Sequence, residues 1–401
     1  MLEDSYWCII VCEMTDRFVF FISIVLITIS ILFSYSLSSF TVLFYNYGEF
    51  HFMVRQSVAG ILGILLMWGI SRCNPDKFIL PFGFMLFLGG IFVMFIMHFL
   101  PESLATSAGG AKRWIRLPFF SLAPVEFFKI GFITFLAWSF SRKFSLVETK
   151  TLKEEFITFL PYVGVFLIAV YLIAVLQNDL GQIVLLGTTL AIMMIFAGSS
   201  FKLFLYLLSG AFGLFVVVIV TSAHRVARVK TWWAGVQDLV LSFFPASIAN
   251  SLRVENLPEP YQVEHSLNAI INGGMFGKGL GNGLIKLGFL SEVHTDVILA
   301  GITEEVGFLG LICVCLLFIV LIFKILKIAN RCENTMYYLF CSGVAVLLGF
   351  SFLINAFGIS GIIPIKGIAV PFLSYGGSSL LANSIMIGMV LAISKKAKMT
   401  H

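Results

Sequence analysis

Ten stretches of this chain are long apolar runs with few ionisable side chains, and that pattern limits the fold more than any other feature. They are roughly Phe18–Phe40, Phe52–Ile70, Phe78–Phe99, Pro124–Phe140, Phe156–Leu176, Ile183–Ala197, Phe201–Thr221, Val297–Ile322, Met336–Phe357 and Ser378–Ile393. A helix that crosses a bilayer needs about 20 apolar residues. A chain of 401 residues therefore holds about ten spans with short loops and leaves no room for a separate soluble domain. Composition agrees, with 59% hydrophobic and 12% charged residues, against about 45–50% and about 25% in soluble domains. A cytosolic enzyme, a disordered protein and a disulfide-rich secreted module are excluded. An outer-membrane barrel would alternate polarity in strands of about ten residues, which the unbroken runs contradict. The expected fold class is an all-α polytopic membrane protein of about ten transmembrane helices, with one long extracytoplasmic loop that contains short helices.

Lysine and arginine in short loops set the orientation. With the N-terminus inside, the inner segments hold Arg17, Arg72, Lys77, Arg142, Lys143, Lys150, Lys153, Lys202, Lys324, Lys327, Arg331, Lys395, Lys396 and Lys398. The short outer turns hold only Arg55 and Lys366. Both termini, residues 1–17 and 394–401, are thus expected in the cytoplasm, with the first span an uncleaved signal anchor. None of the cysteines falls in an outer loop, so no disulfide framework is implied.

Two outer segments depart from the charge rule. The loop around Pro101–Leu122 carries Lys112, Arg113 and Arg116, and the stretch 222–295 carries Arg225, Arg228, Lys230, Arg253, Lys278 and Lys286. Long loops are usually functional. These cations meet either anionic headgroups or an anionic substrate, and composition leaves both open.

Four clusters carry candidate chemistry. The first is Gly109–Ile115, with Lys112, Arg113 and Trp114, followed by Pro124–Lys129. Glu126 and Lys129 are three residues apart and share a helix face. Ionisable groups inside a span mark a functional site or a structural ion pair. The second is the polar turn Gln177–Gln182, where Asp179 is either functional or the cap of the next helix. In the third, Tyr261–Ile270 reads as a short amphipathic helix and contains Gln262 and Ser266. It runs into the glycine-rich stretch Gly273–Gly283, which holds Lys278, and then to His294, Thr295 and Asp296, with Glu304 and Glu305 two turns further on. As a nucleotide loop the stretch lacks a preceding strand and a Lys-Ser/Thr ending; its glycines suit a sharply turning backbone near a ligand. The fourth is the Pro364–Gly367 turn with Lys366, followed by Pro371–Ser379 with Ser374, where proline and glycine also serve as helix punctuation. His51, His98, His224, His265, His294 and His401 show no metal-ligand spacing.

Taken together and in this order, the clusters resemble the SEDS family (shape, elongation, division and sporulation) of FtsW/RodA peptidoglycan polymerases. The resemblance spans nearly the whole chain as one membrane domain, residues 1–401. Its most specific pieces are Gly110–Ile115, Gly273–Gly283, His294–Asp296 with Glu304–Gly307, and Pro371–Ser379. Ala123-Pro124-Val125-Glu126 stands where the family usually reads Gln-Pro-Ser-Glu. Asn178–Gln182 stands for Pro-Asp-Leu-Gly-Thr, and Val297-Ile298-Leu299 for Phe-Ile-Phe. The Lys366-Gly367 turn and the Ser378–Leu381 ending resemble the division branch, with the elongation branch as the alternative.

The resemblance implies a glycosyltransferase that polymerises lipid II at the outer face of the bacterial cytoplasmic membrane. Asp296 is the implied catalytic base. Lys112, Arg113, Lys129 and Lys278 are implied to hold the pyrophosphate, and Trp114, Glu126, Gln262, Ser266, His294, Thr295, Lys366 and Ser374 to line the substrate site. Lys286, beyond the glycines, is expected to lie apart from it. No cofactor is certain, although a divalent cation near Asp296 is compatible with the chemistry. The implied partners are lipid II, a class B penicillin-binding transpeptidase and other division-complex membrane proteins; no nucleic acid is implied. A lipid II flippase is the rival reading, but it would place polar groups at mid-depth and often shows inverted repeats, whereas the charges here collect at outer ends of spans.

Overall fold

The computed structural model describes residues 16–101, 104–108, 111–116, 121–144, 151–254, 261–288, 293–364 and 367–397. The helices are α1 (Arg17–Ser36), α2 (Ser39–Phe44), α3 (His51–Arg72), α4 (Pro75–Met97), α5 (Pro124–Lys143) and α6 (Leu152–Ala169). They continue with α7 (Leu180–Phe196), α8 (Phe201–Val220), α9 (Ala223–Leu241), α10 (Ala246–Leu252), α11 (Tyr261–Gly273), α12 (Ile298–Asn330), α13 (Thr335–Ile359) and α14 (Gly377–Ser394). Eight of these are long and apolar enough to cross a membrane. The other two expected spans are also helices. α7 has 17 residues, and α5 carries the buried Glu126 and Lys129 within its first two turns. The chain is a multi-pass helical membrane protein.

Local chemistry explains where the helices begin. Asn74 accepts a bond from the Asp76 amide, followed by Pro75 in the first turn of α4. Thr151 and Glu154 form a reciprocal capping box on α6. Ser200 caps α8 by accepting from the Leu203 amide, and Asn334 caps α13 by accepting from the Met336 amide. α6 runs on as a wider π-helical segment over Val170–Leu176, where the chain approaches the polar turn at Gln177.

Packing sets which helices stand at the centre. α14 has 83% of its apolar stretch enclosed by protein, whereas α8 has 6% and faces outward along nearly its whole length. α4 and α5 approach so closely that a Cβ on Gly131 would lie 2.2 Å from the Phe87 backbone nitrogen. Small residues at such contacts let helix backbones come together where no hydrophobic drive separates protein from lipid.

The chain alternates direction through the bundle. The C-terminal ends of α1, α4, α6, α8 and α13 therefore share one end with the N-terminal ends of α3, α5, α7, α12 and α14. That end also carries α9 to α11, the short helices expected within the long loop. One feature there departs from the all-helical expectation. Ala105–Ala108, Ala111–Arg116 and Ser121–Leu122 form an antiparallel sheet, β1-β2-β3, with Thr106 opposite Trp114 and Ile115 opposite Leu122.

Candidate active site

Three constellations meet at this end. The first is built on the sheet. Arg113, on β2, donates from Nε to the Gln177 carbonyl (2.9 Å) and from Nη2 to the Asn178 carbonyl (2.7 Å). Asn178 adopts φ +52°, a turn conformation that leaves these carbonyls aimed at the guanidinium. Arg225 also reaches the turn, at Asn178 Oδ1 (3.0 Å). Asp179 does cap α7, accepting from the Gln182 amide at 3.3 Å. Burial raises its carboxyl above the ordinary range, and the Arg113 guanidinium pulls it back. Below it, Lys129 Nζ lies 2.8 Å from Glu126 Oε2, both side chains buried, and Gln182 Nε2 donates to Glu126 Oε1 at 3.4 Å. Lys112 turns the other way. Its ammonium bonds the carbonyls of His98 and Leu100 just beyond the C-terminus of α4, a place where a cation complements the helix dipole. Trp114 is 37% exposed.

The second constellation surrounds Asp296. Three successive carbonyls each receive a hydrogen bond from a different group: His294 from the Tyr375 amide (2.8 Å), Thr295 from Ser374 Oγ (2.7 Å) and Asp296 from Asn355 Nδ2 (2.6 Å). Ser374 accepts in turn from the Val370 amide at 2.8 Å. Gln56, on α3, bonds Ser30 Oγ at 2.8 Å and receives the Gly376 amide at 3.3 Å, fixing the same loop from behind. The Asp296 carboxylate lies beside the loop, since a Cβ on Gly367 would sit 2.8 Å from its Oδ2. His294 is buried between the rings of Phe52 (4.8 Å) and Tyr375 (5.3 Å). Ser378 joins this group to the sheet, donating to the Ser121 carbonyl (2.9 Å) and receiving the Ala123 amide (3.0 Å).

The third lies behind the glycines. Gly277 and Gly307 have φ +80° and +76°, and a Cβ on Gly277 would stand 2.2 Å from the Glu305 carbonyl oxygen. Gly307 breaks α12 into two helical segments, and the amides of Lys278 and Gly279 fill the carbonyls of Glu304 and Glu305 (3.0 and 2.9 Å). Glu304 accepts from Asn272 Nδ2 (2.8 Å) and from the amides of Leu284 and Ile285 (2.8 and 3.0 Å). Glu305 pairs with Lys286 at 2.6 Å, and Ser36 Oγ donates to the same carboxylate. The pair is fully enclosed, so Lys286 is a buried counter-ion of Glu305, with 2% exposure.

The structure thus gathers Arg113, Glu126, Lys129 and Asp179 in one group, and His294, Thr295, Asp296 and Ser374 in another. Lys278 is exposed on its loop. Gln262 is exposed on α11, while Ser266 is buried and bonds back to the Gln262 carbonyl at 2.6 Å. Lys366 lies outside the described residues. Gln56, Asn355 and Ser378 were absent from the expected set; each is a buried polar side chain in or at the edge of an apolar span, which is the signal that marks them. Among the described residues no group of three or more His, Cys, Asp or Glu side chains is placed to hold a metal ion.

Fold and site together define a multi-pass membrane protein whose buried charged side chains, Glu126, Lys129, Lys286, Glu304 and Glu305 among the described residues, gather at one end of the bundle. The chain belongs to the FtsW/RodA/SpoVE family of cell cycle proteins, whose model matches residues 16–399. It is 58% identical over 386 residues to the probable peptidoglycan glycosyltransferase FtsW of Helicobacter pylori, covering 96% of this chain and 99% of that one. It is 31% identical to the probable peptidoglycan glycosyltransferase FtsW of a Geobacter species, with 96% and 97% covered. Two solved structures share the fold. One is a chain of a peptidoglycan synthase complex that coordinates polymerization and crosslinking (TM-score 0.68, 21% identity, 94% of this chain and 97% of that chain covered). The other is the rod shape determining protein RodA of Thermus thermophilus (TM-score 0.64, 21% identity, 96% and 98% covered).

Proposed function

We propose that the chain is a peptidoglycan glycosyltransferase of the division branch, which polymerises lipid II at the outer face of the bacterial cytoplasmic membrane with both termini inside. The observation that carries this reading is the fixing of Asp296. Hydrogen bonds from α13 and from the loop before α14 hold three consecutive carbonyls, so the backbone that carries its carboxylate is fixed before any substrate arrives. The names of the FtsW relatives support the branch.

In this reading Asp296 takes the proton from the acceptor sugar hydroxyl as its oxygen attacks C1 of the donor. The bond from C1 to the pyrophosphate oxygen breaks with inversion, and undecaprenyl pyrophosphate leaves. Cations offset the charge that develops on the leaving group. Lys278 and Arg113 are suited to this, being exposed and half-buried respectively. Lys129 acts through Glu126, and Lys112 holds the sheet against α4. A class B penicillin-binding transpeptidase is the partner that would crosslink the product.

The test is reconstitution. Purified protein with its transpeptidase partner in liposomes, given labelled lipid II, is expected to yield glycan strands. Transfer of unpolymerised lipid II between leaflets, with no strands, would replace the polymerase by a transporter.

A further inference from the structure

Between α1 and α3 the chain carries an unusual density of rings, and they form a connected path. Tyr45 meets Tyr47 (5.9 Å), Tyr47 stacks on His51 (4.5 Å, planes within 9°) and also meets Phe52 (5.9 Å). Phe52 in turn touches His294 (4.8 Å) and Tyr375 (5.1 Å). The path starts at rings that are 61% and 45% exposed, Tyr45 and Tyr47, and ends two residues from Asp296. Its rim is polar. Tyr35 donates to Glu49 at 2.8 Å, and the exposed Arg55 lies near Tyr375.

We propose that these rings form a platform for a strand of linked sugars, leading from the catalytic carboxylate to the edge of the molecule. The inference rests on the polymerase reading and deepens it by naming where the strand runs. A pyranose ring presents an apolar C–H face that stacks on an aromatic ring, with hydroxyl and acetamido groups at its edge. Tyrosine matches both parts, a large flat surface and a polar tip. A belt of interfacial aromatics around the membrane would also expose tyrosines, but such a belt follows the circumference. This path instead runs inward from the exposed Tyr45 and Tyr47 over the part-exposed His51 to the part-exposed Tyr375, with Phe52 and His294 buried beneath it as its support. Spaced rings hold successive sugars with little sequence demand, which suits a product that must slide forward after each addition.

The test uses the full chain in lipid nanodiscs, titrated calorimetrically with a short soluble oligomer of N-acetylglucosamine. Wild type is expected to bind. The double variant Tyr45→Leu/Tyr47→Leu keeps apolar bulk but lacks rings and is expected to bind about tenfold or more weakly. Tyr45→Trp/Tyr47→Trp is expected to retain binding, and Phe212→Leu, on the outward face of α8, to match wild type. In liposomes with labelled lipid II, the leucine variant is expected to give shorter strands. Unchanged binding and strand length in the leucine variant would overturn the platform while leaving the polymerase intact. Loss of the leucine variant from alkali-washed membranes, with oligomer binding per inserted molecule unchanged, would make the rings a membrane anchor instead. Ring-dependent binding in a protein that makes no strands would overturn the polymerase reading and not the platform.

Discussion

Asn355 shows how much an uncharged residue can decide. It is buried on α13, where its amide donates to the carbonyls of both Asp296 and Ile368 (2.6 and 2.8 Å). Asn355→Ala should lower polymerisation by about 10- to 100-fold, because a small displacement of a reacting group costs that much; the assay is strand formation per inserted molecule. Lys286 makes the complementary case. Removing one partner of a buried ion pair leaves the other charge uncompensated and costs about 3–5 kcal/mol. Lys286→Met should therefore lower the thermal unfolding midpoint of the purified protein markedly. Lys286→Met combined with Glu305→Leu should recover most of the loss, since both charges then leave the interior. The carboxylates Glu126, Asp179, Asp296, Glu304 and Glu305 were all legible from their positions beside apolar runs. The role of Lys286 was not, because its partner lies 19 residues away behind a glycine turn whose course no spacing reveals.

The spans were legible as elements because a bilayer demands one long apolar stretch per crossing, and nine of the ten appear within about four residues of their expected bounds. α12 is longer than expected and is divided at Gly307, which hydropathy does not register. The β-sheet was missed for a different reason. Its strands are short and carry Thr, Ser, Lys and Arg, so they read as a polar loop. The Gly109-Gly110 dipeptide between two short runs was the available hairpin signal. The glycine stretch offers a test at this scale. Gly277→Ala must put a Cβ against the Glu305 carbonyl, whereas at Gly274, also at positive φ, there is open space. Alanine at Gly274 should cost only the left-handed conformation, about 1–2 kcal/mol. Alanine at Gly277 should cost clearly more, read as the difference between the two unfolding midpoints.

At the scale of the whole molecule, an outward polymerase requires the sheet, α9 to α11 and Asp296 outside the cell membrane, and the Lys- and Arg-rich turns inside. Single cysteine reporters at Asn250 and Glu154, both exposed and at opposite ends of the bundle, test this after the native cysteines are replaced. A membrane-impermeant thiol reagent applied to intact cells should label the Asn250 reporter and not the Glu154 reporter. The reverse would put the site in the cytoplasm, where lipid II is not polymerised. The bundle also bears on the flippase alternative. The described charged groups of the site collect at one end, and the buried polar side chains on α14, Ser378, Asn383, Ser384 and Ser394, are uncharged, which favours chemistry at that end over passage of a charged headgroup.

In the polymerase reading, this end of the bundle makes glycan strands with Asp296 as the base. Asp296→Asn tests it most directly, because the change is nearly isosteric, keeps the backbone carbonyl that Asn355 holds, and removes only the ability to accept a proton near neutral pH. The wild-type and Asn proteins, each with the transpeptidase partner in liposomes at equal density, would be given labelled lipid II. Wild type is expected to give glycan strands and the variant a loss of about 10²-fold or more, with insertion and partner binding unchanged. Strand formation by the Asn protein at the wild-type rate would contradict that reading.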